Sequence, residues 1–396
     1  GRRAVLVYIH GGGFVAGSGS EPRYDGARLA ARGVVVVAVN YRLNALGFLA
    51  HPELTAESGF SGNWGLLDLV AALQWVRRNI AAFGGDPGQV TIGGESAGSM
   101  AVSALMAMPQ ARGLFHRAIG QSGALGDGAV EPMASLAEAH ARGLAFQREL
   151  GATSLAAMRA APAEAVLAAA PGLGFRPIFD GRVLSRAPEA GLADVALLAG
   201  WTKDEGFNFT VTPDDAAPGA YEARVAEMFG PEADAVLAHY PGGESARASA
   251  AALGGDLVIA NKTWAWIEAH KASGTAEIFR YRFDRAPPVP PGWFGPRDET
   301  RAGAFHAGDI PYALDTLDAM PWNYTSADRR TAAAASAYWL NFVATGDPNG
   351  PGLPRWPSFR ETGEVMRIDA ECRSGPEEGR ARHAFLRALT ERRSGR

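Results

Sequence analysis

The chain has 396 residues, 47% hydrophobic and 20% charged, a composition that excludes an intrinsically disordered polypeptide and allows a large buried core. A formal net charge of -4 and a pI near 6.1 exclude a strongly basic surface, so we expect no nucleic-acid partner. The single cysteine, Cys372, excludes an intrachain disulfide and a Cys-rich zinc site, and no apolar run is long enough to cross a membrane.

The first elements in the chain are two strands and a helix. Residues 4–9 and 34–39 are apolar at successive positions, which is typical of strands buried on both faces of a parallel sheet. Apolar side chains then recur at helical spacing between residues 65 and 83, before the turn signal at 84–87. The pattern predicts a strand followed by a helix as the repeating unit.

Later segments continue this alternation. Strands are predicted at residues 90–92, 118–119, 195–199 and 278–283, with Ala-rich helical segments between them. This order predicts an α/β fold with a mostly parallel central sheet flanked by helices. We expect residues 1–396 to form a single domain, in which two long helical stretches, 128–170 and 215–272, are insertions over the C-terminal edge of the sheet.

The start of the chain carries no leader pattern. It begins at Gly1 without an initiator methionine or a signal-peptide pattern. We therefore expect the natural N-terminus to lie upstream, and the cellular location depends on that segment.

Residues 94–98, Gly-Glu-Ser-Ala-Gly, form a G-x-S-x-G motif between a predicted strand and a predicted helix. A sharp strand-to-helix turn exposes the serine hydroxyl, and the small neighbours let the two backbones approach. The motif alone is a weak signal, but this context predicts Ser96 as a nucleophile.

Residues 10–14, His-Gly-Gly-Gly-Phe, follow the first strand. Backbone N–H groups in such a turn can stabilise an oxyanion, and we predict Gly12, Gly13 and Ala97 as the donors. The glycines also match a dinucleotide-binding fingerprint. That alternative requires an acidic residue at the end of the second strand, where Asn40 follows Val39 instead.

A nucleophilic serine needs a base, and the chain has eight histidines. In α/β hydrolases the histidine follows the nucleophile and the acid along the chain. This order favours His306, which lies on a glycine-flanked loop after the 278–283 strand, and we interpret the other seven as solvated or hydrogen-bonded surface residues. Two adjacent carboxylates, Asp204 and Glu205, follow the 195–199 strand, and chain order does not distinguish between them as the acid.

Together these segments resemble the type-B carboxylesterase/lipase family, which includes cholinesterases and bacterial para-nitrobenzyl esterases. The matching segments are in family order and cover nearly the whole chain, at residues 8–14, 40–43, 47–49, 62–63, 65–66, 68, 83–87, 93–98, 121–123, 203–206, 303–306, 345–349 and 356–357. The resemblance implies the α/β-hydrolase fold. It also implies a segment of about one hundred residues upstream of the glycine loop.

The resemblance also implies roles for individual residues. It selects Glu205 as the acid and leaves Asp204 a structural role. Glu95 is similar to an additional family acid near the histidine, and Ser122 to a serine that supports the acid or serves as a structural hydroxyl. Asn44 and Trp64 depart from the residues expected at their positions, which concerns the pocket rather than the mechanism.

The expected function is that of a serine carboxylesterase acting on a small-molecule ester through an acyl-enzyme intermediate, with no metal or organic cofactor. Two alternatives stay open: a non-catalytic cholinesterase-like binding protein, and a hydrolase of carbamates, lactones or amides with the same triad. The sequence does not indicate the oligomeric state. Five aromatic residues are candidates for a gorge wall, although core positions are their commoner use, namely Trp201, Phe207, Phe209, Trp293 and Phe294.

Overall fold

A computed structural model describes residues 1–184, 192–295, 297 and 299–394. Eight strands of the described chain form one sheet in the order β2-β1-β3-β4-β5-β6-β7-β8, in which all neighbours are parallel except β7 and β8. The strands are β1 Arg3–Ile9, β2 Val35–Val39, β3 Gly85–Glu95, β4 Arg117–Gln121, β5 Ala196–Thr202, β6 Ile278–Phe283, β7 Glu364–Ile368 and β8 Arg373–Pro376.

Helices connect the strands and cover both faces of the sheet. The described α-helices are α1 Ala27–Ala31, α2 Asn44–Phe48, α3 Pro52–Ser58, α4 Trp64–Asn79, α5 Ala97–Ala107, α6 Leu136–Glu149, α7 Leu155–Ala160, α8 Ala163–Ala169, α9 Gly206–Phe209, α10 Ala220–Phe229, α11 Ala233–His239, α12 Ala246–Gly255, α13 Asn261–Ser273, α14 Ile310–Ala313, α15 Ser326–Thr345, α16 Phe359–Thr362 and α17 Arg380–Ser394. A π-helical turn, Asp256–Ala260, connects α12 to α13. No helix in the described part of the chain is long and apolar enough to span a membrane.

The alternation of side chains along β1 explains the two core layers. Val5 and Val7 point to one face and pack in a cluster with α4 and α5. Leu6 and Tyr8 point to the other face and pack in a second cluster with α15. Because both faces are covered, β1 is apolar at successive positions, as the sequence predicts.

The same expectation is wrong for β2. Three of its five residues are half-buried and Ala38 is exposed, although the strand is as apolar as β1. The reason is topology, because β2 is the edge strand and pairs only with β1. Strands β7 and β8 were not predicted from the sequence, because they are short and carry charged residues.

The long helical stretches largely lie where they were expected. Segments from both of them line a cavity at the C-terminal end of β3. The exception is α13, whose Trp266 and Ile267 pack in the core cluster on one sheet face. This helix is therefore a layer of the sheet covering rather than part of an insertion. Residues 284–295, which follow β6, form neither helix nor strand, and residue 296 lies outside the described residues.

Candidate active site

Ser96 lies in the sharp turn between β3 and α5. Its backbone has φ 55° and ψ −123°, a conformation that non-glycine residues seldom adopt. A Cβ atom on Gly98 would lie 2.0 Å from the carbonyl oxygen of Ile9, so only glycine allows α5 to start this close to β1. The local sequence therefore holds the Ser96 side chain at the C-terminal edge of the sheet.

His306 bridges Ser96 and Glu205. Its Nε2 atom lies 2.9 Å from Ser96 Oγ, and its Nδ1 atom lies 2.6 Å from Glu205 Oε2. The histidine comes from the loop after β6, the glutamate directly follows β5, and the serine follows β3, so strands β3, β5 and β6 together position the three groups. Parallel strands bring these loops to one edge of the sheet.

Glu205 and the His306 loop are fixed by backbone contacts. The N–H of Thr202 donates a hydrogen bond of 2.9 Å to Glu205 Oε1. Asp204, the neighbouring acid, faces the loop instead, where its Oδ2 atom accepts a hydrogen bond of 2.8 Å from the N–H of Ala304. The geometry brings Glu205, and not Asp204, into contact with His306.

Buried carboxylates set the electrostatics of His306. Glu95 is 2% exposed, and its Oε1 atom lies 3.3 Å from His306 Nε2. Burial on its own would lower the pKa of His306, but the charges of Glu205 and Glu95 and the hydrogen bond with Glu205 outweigh it and raise that pKa to about 9. Burial raises the pKa of Glu95 to about 7, against the opposing effect of His306. The pocket therefore favours a positive charge on the imidazole.

The glycine loop approaches the serine closely. A Cβ atom on Gly11 would lie 3.1 Å from Ser96 Cβ. Gly12 and Gly13 have φ angles of 104° and 64°, and the next α-helix, α1, begins only at Ala27, after a single 3-10 turn at Pro22–Tyr24. Ala97 is the first residue of α5. A dinucleotide-binding motif requires a helix directly after its glycines, so this geometry argues against that alternative.

Ser96 lines a cavity of about 620 Å³, and the exposed surface of this cavity is mainly apolar. Gly13 and Ala97 line this cavity beside Ser96, whereas Gly12 is not among the lining residues. Of the five aromatic candidates for a gorge wall, Phe209 lines the cavity, and its ring lies 4.9 Å from the His306 ring. Phe207 and Phe294 pack in a separate aromatic cluster.

Comparison with known proteins identifies the family. A sequence model of the carboxylesterase family matches residues 1–385. The chain belongs to the carboxylesterase family. This carboxylesterase is 36% identical to fumonisin B1 esterase of Sphingopyxis macrogoltabida, over 94% of this chain and 70% of that protein. It is 37% identical to para-nitrobenzyl esterase of Bacillus subtilis (strain 168), over 93% and 76% of the two chains.

Solved structures agree with the sequence relatives. A PNB esterase structure matches this carboxylesterase with a TM-score of 0.83 and 34% identity, over 97% of this chain and 80% of that chain. The predicted α/β-hydrolase fold is therefore confirmed, and the esterase-named relatives establish a carboxylic ester hydrolase. The non-catalytic alternative has no support among these relatives.

Several residue interpretations need correction. Four of the seven remaining histidines are buried rather than at the surface, namely His10, His51, His270 and His383. Ser122 is also buried, with φ 53°. Its Oγ atom has no hydrogen-bond partner among the described residues, so no hydrogen bond of this hydroxyl supports the acid.

Two charged residues near the site, one buried and one half-buried, were not predicted from the sequence. Asp309 accepts hydrogen bonds from Gln121 and Tyr281, and burial raises the pKa of its carboxyl. Its position three residues after His306, in an otherwise apolar and glycine-rich segment, was an available signal. Lys262 lines the cavity and belongs to a chain with only three lysines, which was a second available signal.

Proposed function

We propose that Ser96, His306 and Glu205 form the catalytic triad of this carboxylesterase. The observation that carries the proposal is the bridging position of His306, with hydrogen-bond distances to Ser96 on one ring nitrogen and to Glu205 on the other. In the first step His306 takes the proton of Ser96 Oγ, which attacks the ester carbonyl. Glu205 accepts the Nδ1–H hydrogen bond and stabilises the imidazolium.

The tetrahedral oxyanion is held by the backbone N–H groups of Gly12, Gly13 and Ala97 in this proposal. Support comes from the close approach of the glycine loop to Ser96 and from Ala97 at the N-terminus of α5, where the helix dipole favours negative charge. The alcohol leaves with the proton from His306. Water then attacks the acyl-enzyme by the same route and releases the acid.

The substrate in this proposal is a small-molecule ester held in the cavity beside Ser96. The volume and the mainly apolar lining suit an ester of drug-like size. A p-nitrophenyl ester is a suitable probe, since one relative is named a para-nitrobenzyl esterase. The reaction requires no group beyond these side chains, the backbone donors and water.

The test is the Ser96→Ala variant with p-nitrophenyl butyrate. We expect kcat to fall by at least about a thousandfold, because the nucleophile is removed while the oxyanion donors are retained. Circular dichroism and the thermal midpoint should match the wild type, since alanine replaces only a hydroxyl in the same backbone conformation. Wild-type turnover by the folded variant would overturn the proposed triad.

A further inference from the structure

The cavity beside Ser96 is positively charged although the whole chain is acidic. Lys262, Arg142 and Arg176 line it, and the only acid among the described lining residues is Glu131. The chain as a whole has a formal net charge of -4. A cavity of one sign, with low-dielectric walls, attracts a ligand of the opposite sign. The charge of its lining therefore favours ligands that carry an anionic group over ligands that are neutral.

The two arginines are already in contact with other groups. Arg142 donates a hydrogen bond of 2.9 Å to the carbonyl oxygen of Gly174. Arg176 lies 3.9 Å from Glu131, in a pair whose side chains are 59% and 82% exposed. Exposed pairs of this kind contribute little to binding or stability. Lys262 is different, because within the described residues its ammonium has neither a hydrogen bond nor an ion pair.

The position of Lys262 is set by the π-helical turn before α13. Leu257, Val258 and Ile259 of this turn line the cavity, and Lys262 follows on the first turn of α13. π-helical turns are frequent at functional sites because the extra residue changes which side chains face a ligand. The turn thus places one cation on an otherwise apolar wall.

The surroundings of Lys262 leave room for its side chain and little compensation for its charge. A Cβ atom on Gly128 would lie 3.1 Å from Lys262 Cε and 3.5 Å from its Nζ, so the glycine opposite keeps this space open. Burial lowers the pKa of Lys262, Glu131 and Asp127 raise it, and Arg176 lowers it further. A half-buried ammonium without a partner is costly unless a bound anion compensates it.

A purely structural role fits Lys262 less well than it fits Lys271 on the same helix. The Lys271 ammonium lies 4.9 Å from the centre of the Phe359 ring, a contact that explains this residue without a ligand. Lys262 has no such contact among the described residues, and it lines the cavity that contains the nucleophile.

We propose that Lys262 binds a carboxylate of the substrate, so that the preferred substrates are esters whose acyl or alcohol part carries a second, free carboxylate. This inference rests on the proposed function of Ser96, since it concerns the cavity that Ser96 shares. Lys262 acts as a specificity-determining residue of this cavity. It takes no part in the acyl transfer itself.

The test compares matched ester pairs that differ by a terminal methyl or carboxylate. p-Nitrophenyl hexanoate and p-nitrophenyl hydrogen adipate place the difference on the acyl side, and pentyl acetate and 4-carboxybutyl acetate place it on the alcohol side. For each pair we measure kcat/KM of the anionic ester divided by that of the neutral ester. Lys262→Met should lower this ratio for at least one pair by about tenfold or more, as expected for a lost charged hydrogen bond.

Three variants complete the experiment. Lys262→Arg retains the charge and should keep the ratio within about threefold of the wild type. Lys262→Glu should lower the ratio further than Lys262→Met, because it repels the carboxylate. Lys271→Met removes a lysine of the same helix outside the cavity and should leave the ratio unchanged. Active-site titration with a neutral organophosphate gives the fraction of each preparation that is correctly folded.

The outcomes separate this inference from the proposed function. Ser96-dependent hydrolysis with ratios that Lys262→Met and Lys262→Glu leave unchanged for both pairs would overturn the Lys262 proposal alone. Absence of Ser96-dependent hydrolysis of all four esters would overturn the proposed function and the inference with it. A fall in the ratio for either pair, restored by Lys262→Arg, supports the proposal and identifies which side of the ester carries the charge.

Discussion

Glu95 directly precedes the proposed nucleophile in the sequence, and its carboxylate lies beside the imidazole ring of His306. A buried carboxylate at 3.3 Å from Nε2 stabilises the imidazolium that forms when His306 takes the serine proton. The same charge holds a proton on the resting histidine, which is then unable to act as a base. Glu95 therefore has two effects: it stabilises the transition state, and it lowers activity at pH values below the pKa of His306.

The Glu95→Gln variant tests this effect through the pH profile of kcat/KM. Because the pKa of His306 is raised to about 9, hydrolysis should increase with pH as His306 loses its proton. Removing the Glu95 charge lowers that pKa, so the acidic limb of the profile should move to lower pH by roughly one unit. The measurement is steady-state hydrolysis of p-nitrophenyl butyrate between about pH 6 and 10.5, corrected for spontaneous hydrolysis, so that the range extends beyond the pKa of His306.

Glu361→Gln is the matched control, since Glu361 is an exposed residue of α16. Its profile should overlay that of the wild type. An acidic limb that stays in place in Glu95→Gln would contradict the influence of Glu95 on the base.

At the scale of elements, Asp328 fixes the start of α15, the helix that covers one face of the sheet. Its side chain is fully buried, forms a capping box with Thr325, and accepts hydrogen bonds from Arg285 and Tyr312. Burial would raise the pKa of Asp328, but these hydrogen bonds outweigh it and hold that pKa below the usual value of an aspartate. The carboxylate is thus a stabilising charge at neutral pH.

Asp328→Asn should lower the free energy of unfolding at pH 7 by about 2 to 4 kcal/mol, because it leaves Arg285 without its buried partner. Since the folded pKa lies below the unfolded value, the stabilisation is present above about pH 4 and is lost as the pH falls below it. The difference in the free energy of unfolding between variant and wild type, measured in urea, should therefore become smaller in acid.

Asp318→Asn is the control. Because this aspartate pairs with Arg28 at the surface, its replacement should lower the free energy of unfolding by less than about 1 kcal/mol. Equal losses in the two variants would contradict the role assigned to Asp328.

Individual elements show how far the sequence predicts this fold. β6 has the predicted bounds, since its apolar and aromatic residues are flanked by polar segments. The sequence also predicts Ser96, His306 and Glu205, the first from a local turn signal and the other two from chain order and family resemblance, and the three side chains lie within hydrogen-bond distance in the order Ser96–His306–Glu205. Their catalytic role stays a proposal. The edge position of β2 and the cavity contacts of Lys262 were not predictable, because both depend on contacts between residues far apart in the sequence.

At the scale of the whole molecule, we propose that residues 1–396 unfold as one domain. Support comes from the shared sheet, whose two faces carry the two largest core clusters, and β1 contributes to both of them. We expect a single transition in urea, with coincident midpoints by tryptophan fluorescence, far-UV circular dichroism and loss of esterase activity. Separate midpoints for the first two probes would indicate two units and contradict the proposal.

In the proposed triad, hydrolysis proceeds through Ser96 activated by His306. The most direct measurement is the mass of the intact protein after reaction with diisopropyl fluorophosphate, followed by peptide mapping. We expect one adduct per chain, located on Ser96, with loss of activity in proportion to labelling and with slow labelling in His306→Gln. An adduct on another residue, or full activity after complete labelling of Ser96, would contradict it.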